Sequence, residues 1–507
     1  MFLNFTIFKN SKILLKQNIK DMSTEIRNLE PKAVWENFYQ LTQIPRPSKK
    51  EEQIIAYMKK FGEDLGLETI VEEVGNVIIR KPATPGMEDR KGIVLQGHID
   101  MVPQANSDVD HDFAKDPIDA YVDGEWVTAR GTTLGADNGM GVAATMAVLQ
   151  ATDLVHGPIE ALFTIDEETG MAGAFGLQAG ILKADILMNL DSEDEGELYI
   201  GCAGGIDGNI SLDYNTEAMP SGYISQKLIV KGLKGGHSGM DIILGRGNSN
   251  KILFRVIKEA VKLFDLRMTS VDGGSLRNAI PRESFAKIAI PESNRQAFAD
   301  FLKEKQAILG NEIKSVDPEL EIVAEDIDTE SEIFTVDSLM KLTNLIYAIP
   351  NGVMRMSNEM EGLTETSTNM AIVKSENGST EIACLLRSSV DSAKTDLAEM
   401  MESACALAGA KAVFEGEYPG WKPNPDSAIL ATMIKGYENQ FGKTPEIKAI
   451  HAGLECGLLG GIYPNWDMIS FGPTIRFPHS PDEKVNIETV GKFWEFLKET
   501  LKNAPKK

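Results

Sequence analysis

Three short apolar runs in this chain each break off on a histidine or an acid, and no other feature restricts its fold as much. Gly92 to Gly97 leads into His98 and Asp100, Ile159 to Ile165 into Asp166, Glu167 and Glu168, and Ile186 to Leu190 into Asp191. Runs this short and this continuously apolar read as strands buried on both faces, as a parallel sheet requires. Side chains that carry chemistry, gathered where such strands stop, point to an open α/β sheet with its site beyond the carboxyl ends of the strands.

The chemistry follows from the residue types. Strand residues two apart face the same way, so Asp100 can stand behind His98, accept one ring N–H and leave the other nitrogen for a metal. Through Asp166-Glu167-Glu168 successive side chains face opposite ways, so one carboxylate can bind a metal while its neighbour points at an attacking water. Asp137 arrives from a glycine-broken turn, Gly131 to Gly141, ahead of a helix-like stretch from Val142 to Leu149. Glycine permits close backbone approach there, and a helix start favours a carboxylate. His479 lies far downstream in Phe471 to Glu483, a segment stiffened by Pro473, Pro478 and Pro481. His98, Asp137, Glu168, Asp191 and His479 together make a histidine and a carboxylate for each of two divalent metals, plus one shared carboxylate. Glu167 stands beside them. Such a set suits hydrolysis of an amide by metal-activated water. Any one of these residues alone would be a capping or hydrogen-bonded side chain. The chain has only 6 His, however, and these two sit in acid- and glycine-rich loops.

The motifs Gly97-His98-Ile99-Asp100-Met101-Val102, Gly131 to Gly139, Asp166 to Gly170 and Asn189 to Glu193 resemble the series found in the dizinc peptidases that include carboxypeptidase G and aminoacylase. Ile44 to Ser48, Gly235 to Gly239, Leu276 to Arg282 and His451 to Gly457 resemble the dipeptidase branch of that family. The likeness runs from about Met22 to the C-terminus. It implies an α/β fold, a mixed-sheet dizinc catalytic domain with an inserted α+β lid. It also implies two Zn2+ per subunit, with Co2+ or Mn2+ able to substitute. One ion would take His98 and Asp191 and the other Glu168 and His479, with Asp137 shared and a cis peptide after it. Glu167 would be the general base and Asp100 its supporting residue. In the lid, His237 would stabilise the oxyanion, Asn278 bind the substrate backbone and Arg387 clamp the substrate carboxylate. Glu455 and Gly453 would line the amine side. The implied substrates are unblocked dipeptides of broad specificity, Xaa-His included.

The domains expected on this reading are a disordered extension over 1–21, a catalytic domain over 22–206 and 419–507, and a lid over 207–418. A lid of that length exceeds one ferredoxin-like unit, and two half-units are expected, Lys227 to Ile290 in one and Met370 to Glu417 in the other. In similar enzymes the oxyanion histidine comes from a neighbouring subunit or from a doubled lid; monomer and homodimer both stay open. Pro31 opens an expected helix bearing Val34, Trp35, Phe38 and Leu41, and Ile54, Met58, Phe61 and Leu65 mark the next, both packing on the catalytic sheet.

Composition narrows the classes further. At 507 residues and 42% hydrophobic, the chain can build two cores. A formal charge of −24 argues against nucleic acid and anionic membrane as partners. No apolar run approaches 18 residues, the length of a spanning helix. Cys202, Cys384, Cys405 and Cys456 are widely spaced, so buried free thiols are expected. Residues 1–21 lack the layout of a secretory signal, and a cytoplasmic enzyme is expected. Two rivals share these features: an aminoacylase, tripeptide aminopeptidase or carboxypeptidase of the same family, and an inactive binding relative. The second would have lost a ligand or the base, and none is missing.

Overall fold

In the computed structural model, which describes residues 24–507, the three apolar runs form the adjacent strands Ile93–His98, Ile159–Thr164 and Ile186–Asn189. Every residue in them is buried. Ile93–His98 pairs in parallel with each of the other two, and Asp467–Ser470 extends the parallel set beyond Ile186–Asn189. Antiparallel strands flank this centre and complete a mixed eight-stranded sheet. Because the central strands run the same way, His98, Asp166 and Asp191 all emerge at one edge.

The helix Ala136–Gln150 is buried over nearly its whole length, which explains its lack of a polar face. The helix Lys32–Thr42 buries Val34, Trp35, Phe38 and Leu41 as expected, but it packs on Ala136–Gln150 rather than on the sheet. The helix Glu52–Asp64 does pack against the sheet, through Ile54, Met58 and Gly62. Phe61 is only half-buried and Leu65 is exposed, because Leu65 is the C-cap where the helical stripe has already ended.

A second, four-stranded sheet brings the distant histidine home. Ile475–Arg476 and Lys484–Asn486 form a hairpin, and Lys484–Asn486 pairs with Trp126–Ala129, the strand just before the glycine-broken turn. The hairpin carries His479 at its tip.

The chain divides into two compact units. The first holds the described residues up to Gly201, with Asn424–Ala449 and Leu458–Lys507; the second holds Cys202–Pro423 and Ile450–Gly457. These divisions fall five residues away from the sequence-based ones at 206 and 418. They also place Gly453 and Glu455 with the second unit. The proposed extension over 1–21 lies outside the described residues.

The second unit is built on a nine-stranded sheet whose order repeats. Tyr223–Lys231, Ser249–Phe264, Arg267–Gly273, Ser284–Pro291, Arg295–Glu312 and Glu321–Asp326 make a β-α-β-β-α-β series with spatial strand order 4-1-3-2. Gly204–Asp213, Val336–Ala348, Thr364–Glu376, Ser379–Ser388, Asp391–Ala408 and Lys411–Tyr418 make another with the same order. The first series is inserted after the first strand of the second, and the two join edge to edge through Asp272↔Lys374 and Gly273↔Val373. A continuous core including Leu228, Phe254, Ile288, Phe334, Leu342 and Met370 fills the space between sheet and helices. All four cysteines are buried, and none is in a disulfide. No helix among the described residues is long and apolar enough to cross a membrane.

Candidate metal centre

Asp137 is the hub of the site. One of its oxygens lies 3.1 Å from His98 Nε2 and the other 3.1 Å from His479 Nε2. His98 Nε2 also stands 3.5 Å from Asp191 Oδ1, and His479 Nε2 stands 2.9 Å from Glu168 Oε2. Two overlapping groups result, His98 with Asp137 and Asp191, and Asp137 with Glu168 and His479. Glu167 joins His98 and Glu168 in a third. The peptide between Asp137 and Asn138 is cis.

The donor set fits divalent ions. His98 Nδ1 lies 3.3 Å from Asp100 Oδ1, and a neutral ring carrying its proton on that side aims the lone pair of Nε2 at two carboxylate oxygens. Acceptor facing acceptors is repulsive unless a cation lies between them, and Asp191 Oδ1 is buried without a hydrogen-bond donor. The same carboxylates act on the imidazoles themselves. Burial opposes charge on His98, but Asp191, Asp100 and Asp137 outweigh it and hold the ring well above its ordinary pKa. Hydrogen bonds to Asp137 and Glu168 push His479 up to about 11. Burial would raise Asp137, yet the two imidazoles hold its carboxyl well below the usual carboxylate range. Burial carries Asp191 up to about 6, with Asp137 and Glu168 adding to it against His98.

Glu167 and Glu168 do not continue the strand. They open a one-turn helix, Glu167–Gly170, after Asp166 takes a left-handed conformation at φ 50°. Strand alternation therefore does not separate their carboxylates; the helical turn does. Asp100 fixes that turn as well as His98, since its carboxylate accepts the backbone N–H groups of Glu167 and Glu168 at 3.1 and 3.3 Å. Ser48 donates to it at 2.8 Å.

Sequence reasoning missed several supporting residues. Arg46, buried, donates to the carbonyls of Asp100 at 2.7 Å and Gly135 at 2.5 Å. Glu483, buried, accepts the backbone N–H groups of Leu134 to Asp137. Burial pushes its carboxyl up to about 7 against those donors. Glu193, beside Asp191, is pushed by burial up to about 8, with Asp137 and Asp191 adding to it. Both Arg46 and Glu483 lie in proline-flanked segments quoted above, the only signal the sequence offered.

The second unit gathers its own polar cluster. His237 Nδ1 accepts the backbone N–H groups of Gly239 and Met240 at 3.2 and 3.0 Å, which makes its Nε2 the protonated, donating nitrogen. Burial, and repulsion from Arg387, lower its pKa. Exposed Asn278 is held beside it, its backbone carbonyl accepting from Ser238 N–H at 2.8 Å. Arg387 is 5% exposed and donates through Nη1 to Tyr418 Oη at 3.0 Å, while its Nε has no hydrogen-bond partner. Gly453 backs onto the Tyr418 ring, where a Cβ would sit 3.2 Å from the ring edge. Glu455 is buried at the start of Glu455–Ile462.

Paired imidazoles around a shared carboxylate, at the strand ends of a mixed α/β sheet, define a metallohydrolase. The chain belongs to peptidase family M20/M25/M40, whose pattern it matches over residues 94–503. It is 48% identical over 484 residues, 96% of this chain and all of the relative, to the cytosol non-specific dipeptidase of Escherichia coli. The crystal structure of aminoacylhistidine dipeptidase from Vibrio alginolyticus superposes with a TM-score of 0.91 at 50% identity, covering 95% of this chain and 98% of that one. An aminopeptidase from Bacillus cereus shares the fold at a TM-score of 0.60 and 16% identity, covering 94% of this chain and 99% of that one.

Proposed function

We propose that this protein is a cytoplasmic dipeptidase that hydrolyses unblocked dipeptides of broad side-chain specificity, Xaa-His among them. The observation that carries the reading is Asp137, whose two oxygens face two different imidazoles. The names of the relatives at 48% and 50% identity support the choice of substrate.

His98 and Asp191 would hold one zinc ion and Glu168 and His479 the other, with Asp137 shared; Co2+ or Mn2+ suits the same donors. When bound, such a pair acidifies water and polarises the scissile carbonyl. Glu167 takes the proton from the attacking water and returns it to the leaving amine. Asp100 fixes the tautomer of His98. His237 donates Nε2–H to the oxygen that becomes negative, Asn278 binds the substrate backbone, and Arg387 pairs with the substrate carboxylate. Glu455 and Gly453 are assigned to the amine side.

The test is a dipeptide panel assayed with and without a chelator, each free-amine substrate set against its N-acetylated form. Chelator-sensitive turnover confined to free-amine dipeptides is expected. Preference for the acetylated forms would replace this reading with an aminoacylase.

A further inference from the structure

We propose that Glu483 is a positioning residue for the metal centre: its carboxylate sets the separation of Asp137 and His479 by tying the turn that carries one to the hairpin that carries the other. The inference rests on the dinuclear reading given above.

The geometry is specific. Leu134 and Gly135 donate their backbone N–H groups to Glu483 Oε2 at 2.8 and 2.9 Å, and Ala136 and Asp137 donate to Oε1 at 2.7 and 3.2 Å. A carboxylate offers about four lone-pair sites, so these donors saturate it. Three of them, on Gly135 to Asp137, belong to the start of Ala136–Gln150, where amides lack intrahelical partners and a negative charge is favoured. A local Ser or Asp could satisfy such a need. Here the acceptor comes instead from a residue 346 positions away, on the same hairpin as His479 and four residues after it. The backbone of Glu483 is itself fixed: its N–H donates to Ser480 O at 2.9 Å, and its carbonyl accepts from Thr128 Oγ1 at 2.7 Å. A shift of this carboxylate therefore moves His479 against Asp137.

A capping role alone predicts only lower stability when Glu483 is changed. Positioning predicts a selective loss at one ion. In Glu483→Gln an amide NH2 would face two of the four N–H donors, and the turn would separate from the hairpin. Metal-stripped wild type, Glu483→Gln and Glu483→Asp are titrated with Zn2+ against a chromophoric chelator, with thermal unfolding of the stripped proteins measured alongside. The weaker Zn2+ site of Glu483→Gln should lose roughly 10–100-fold in affinity, as for other supporting residues of metal sites. The tighter site should stay near wild type, and Glu483→Asp should fall between. Wild-type affinity at both sites with only a lowered melting temperature, or equal loss at both, overturns the proposal. If Glu483→Gln does not fold, Glu483→Asp decides by the same criteria, since its shorter side chain cannot reach all four amides without moving the hairpin. Wild-type protein that binds fewer than two zinc ions removes the dinuclear reading itself, and this proposal with it.

Discussion

The two oxygens of Asp137 reach His98 Nε2 and His479 Nε2 at the same distance, 3.1 Å, so one carboxylate joins residues 98 and 479 of the chain. Asp191 and Glu168 each place a carboxylate oxygen beside one of those imidazoles, and Glu483 holds the turn that carries Asp137.

Glu167 has a role separable from metal binding. Glu167→Gln should lower kcat by about 10²–10⁴, the usual contribution of a positioned base. Metal content should remain that of wild type. Elemental analysis and steady-state kinetics on the same preparation check this; a variant within a few-fold of wild type would remove Glu167 from the reaction.

Gly135 cannot be replaced without cost. Its φ of +69° is left-handed, and a Cβ would stand 2.5 Å from Arg46 Nη2. Gly135→Ala should lose at least about 1–2 kcal/mol, the cost of forcing an L side chain into that conformation. Denaturant unfolding of the two proteins measures it, and equal midpoints would contradict the packing described.

The fold and site were unevenly legible. Strands ending in His98 and Asp191 could be read because a buried parallel strand is apolar along its whole length and then stops. The turn at Glu167 could not, because it is opened by a left-handed Asp166, with no glycine to announce it. Glu483 and Arg46 escaped for a different reason: they bind backbone amides and carbonyls, which leave no side-chain pattern at the partner position. The paired β-α-β-β-α-β series was obscured by nesting, since one series interrupts the other after Gly204–Asp213 and neither runs unbroken through the sequence.

Tyr418 should matter to substrate affinity. It is the hydrogen-bond partner given to Arg387, whose guanidinium is proposed to take the substrate carboxylate. Tyr418→Phe should raise KM by about tenfold, matching the loss of one hydrogen bond to a charged group. The value of kcat should change little. An unchanged KM would detach Tyr418 from binding.

His451 makes the second unit sensitive to acid. Burial, with repulsion from Arg387, lowers its pKa from the ordinary 6.5 to about 3, and its Nε2 lies 2.7 Å from Ser367 Oγ. The unfolded chain therefore takes up a proton below pH 6.5 that the native protein refuses until about pH 3. Stability from this group is complete above pH 6.5 and drains away as pH falls toward 3, by about 2 kcal/mol at pH 5. His451→Gln keeps a polar group for Ser367 and cannot titrate. Its unfolding midpoint should fall less than that of wild type between pH 7 and pH 5; parallel decline would contradict the assignment.

The most direct measurement is anomalous diffraction at the zinc edge from crystals of the zinc-loaded protein. Two peaks flanking the Asp137 carboxylate, about 3.5–4 Å apart as in other two-metal hydrolases, are predicted. A single peak, or two peaks of which only one touches Asp137, would contradict the account.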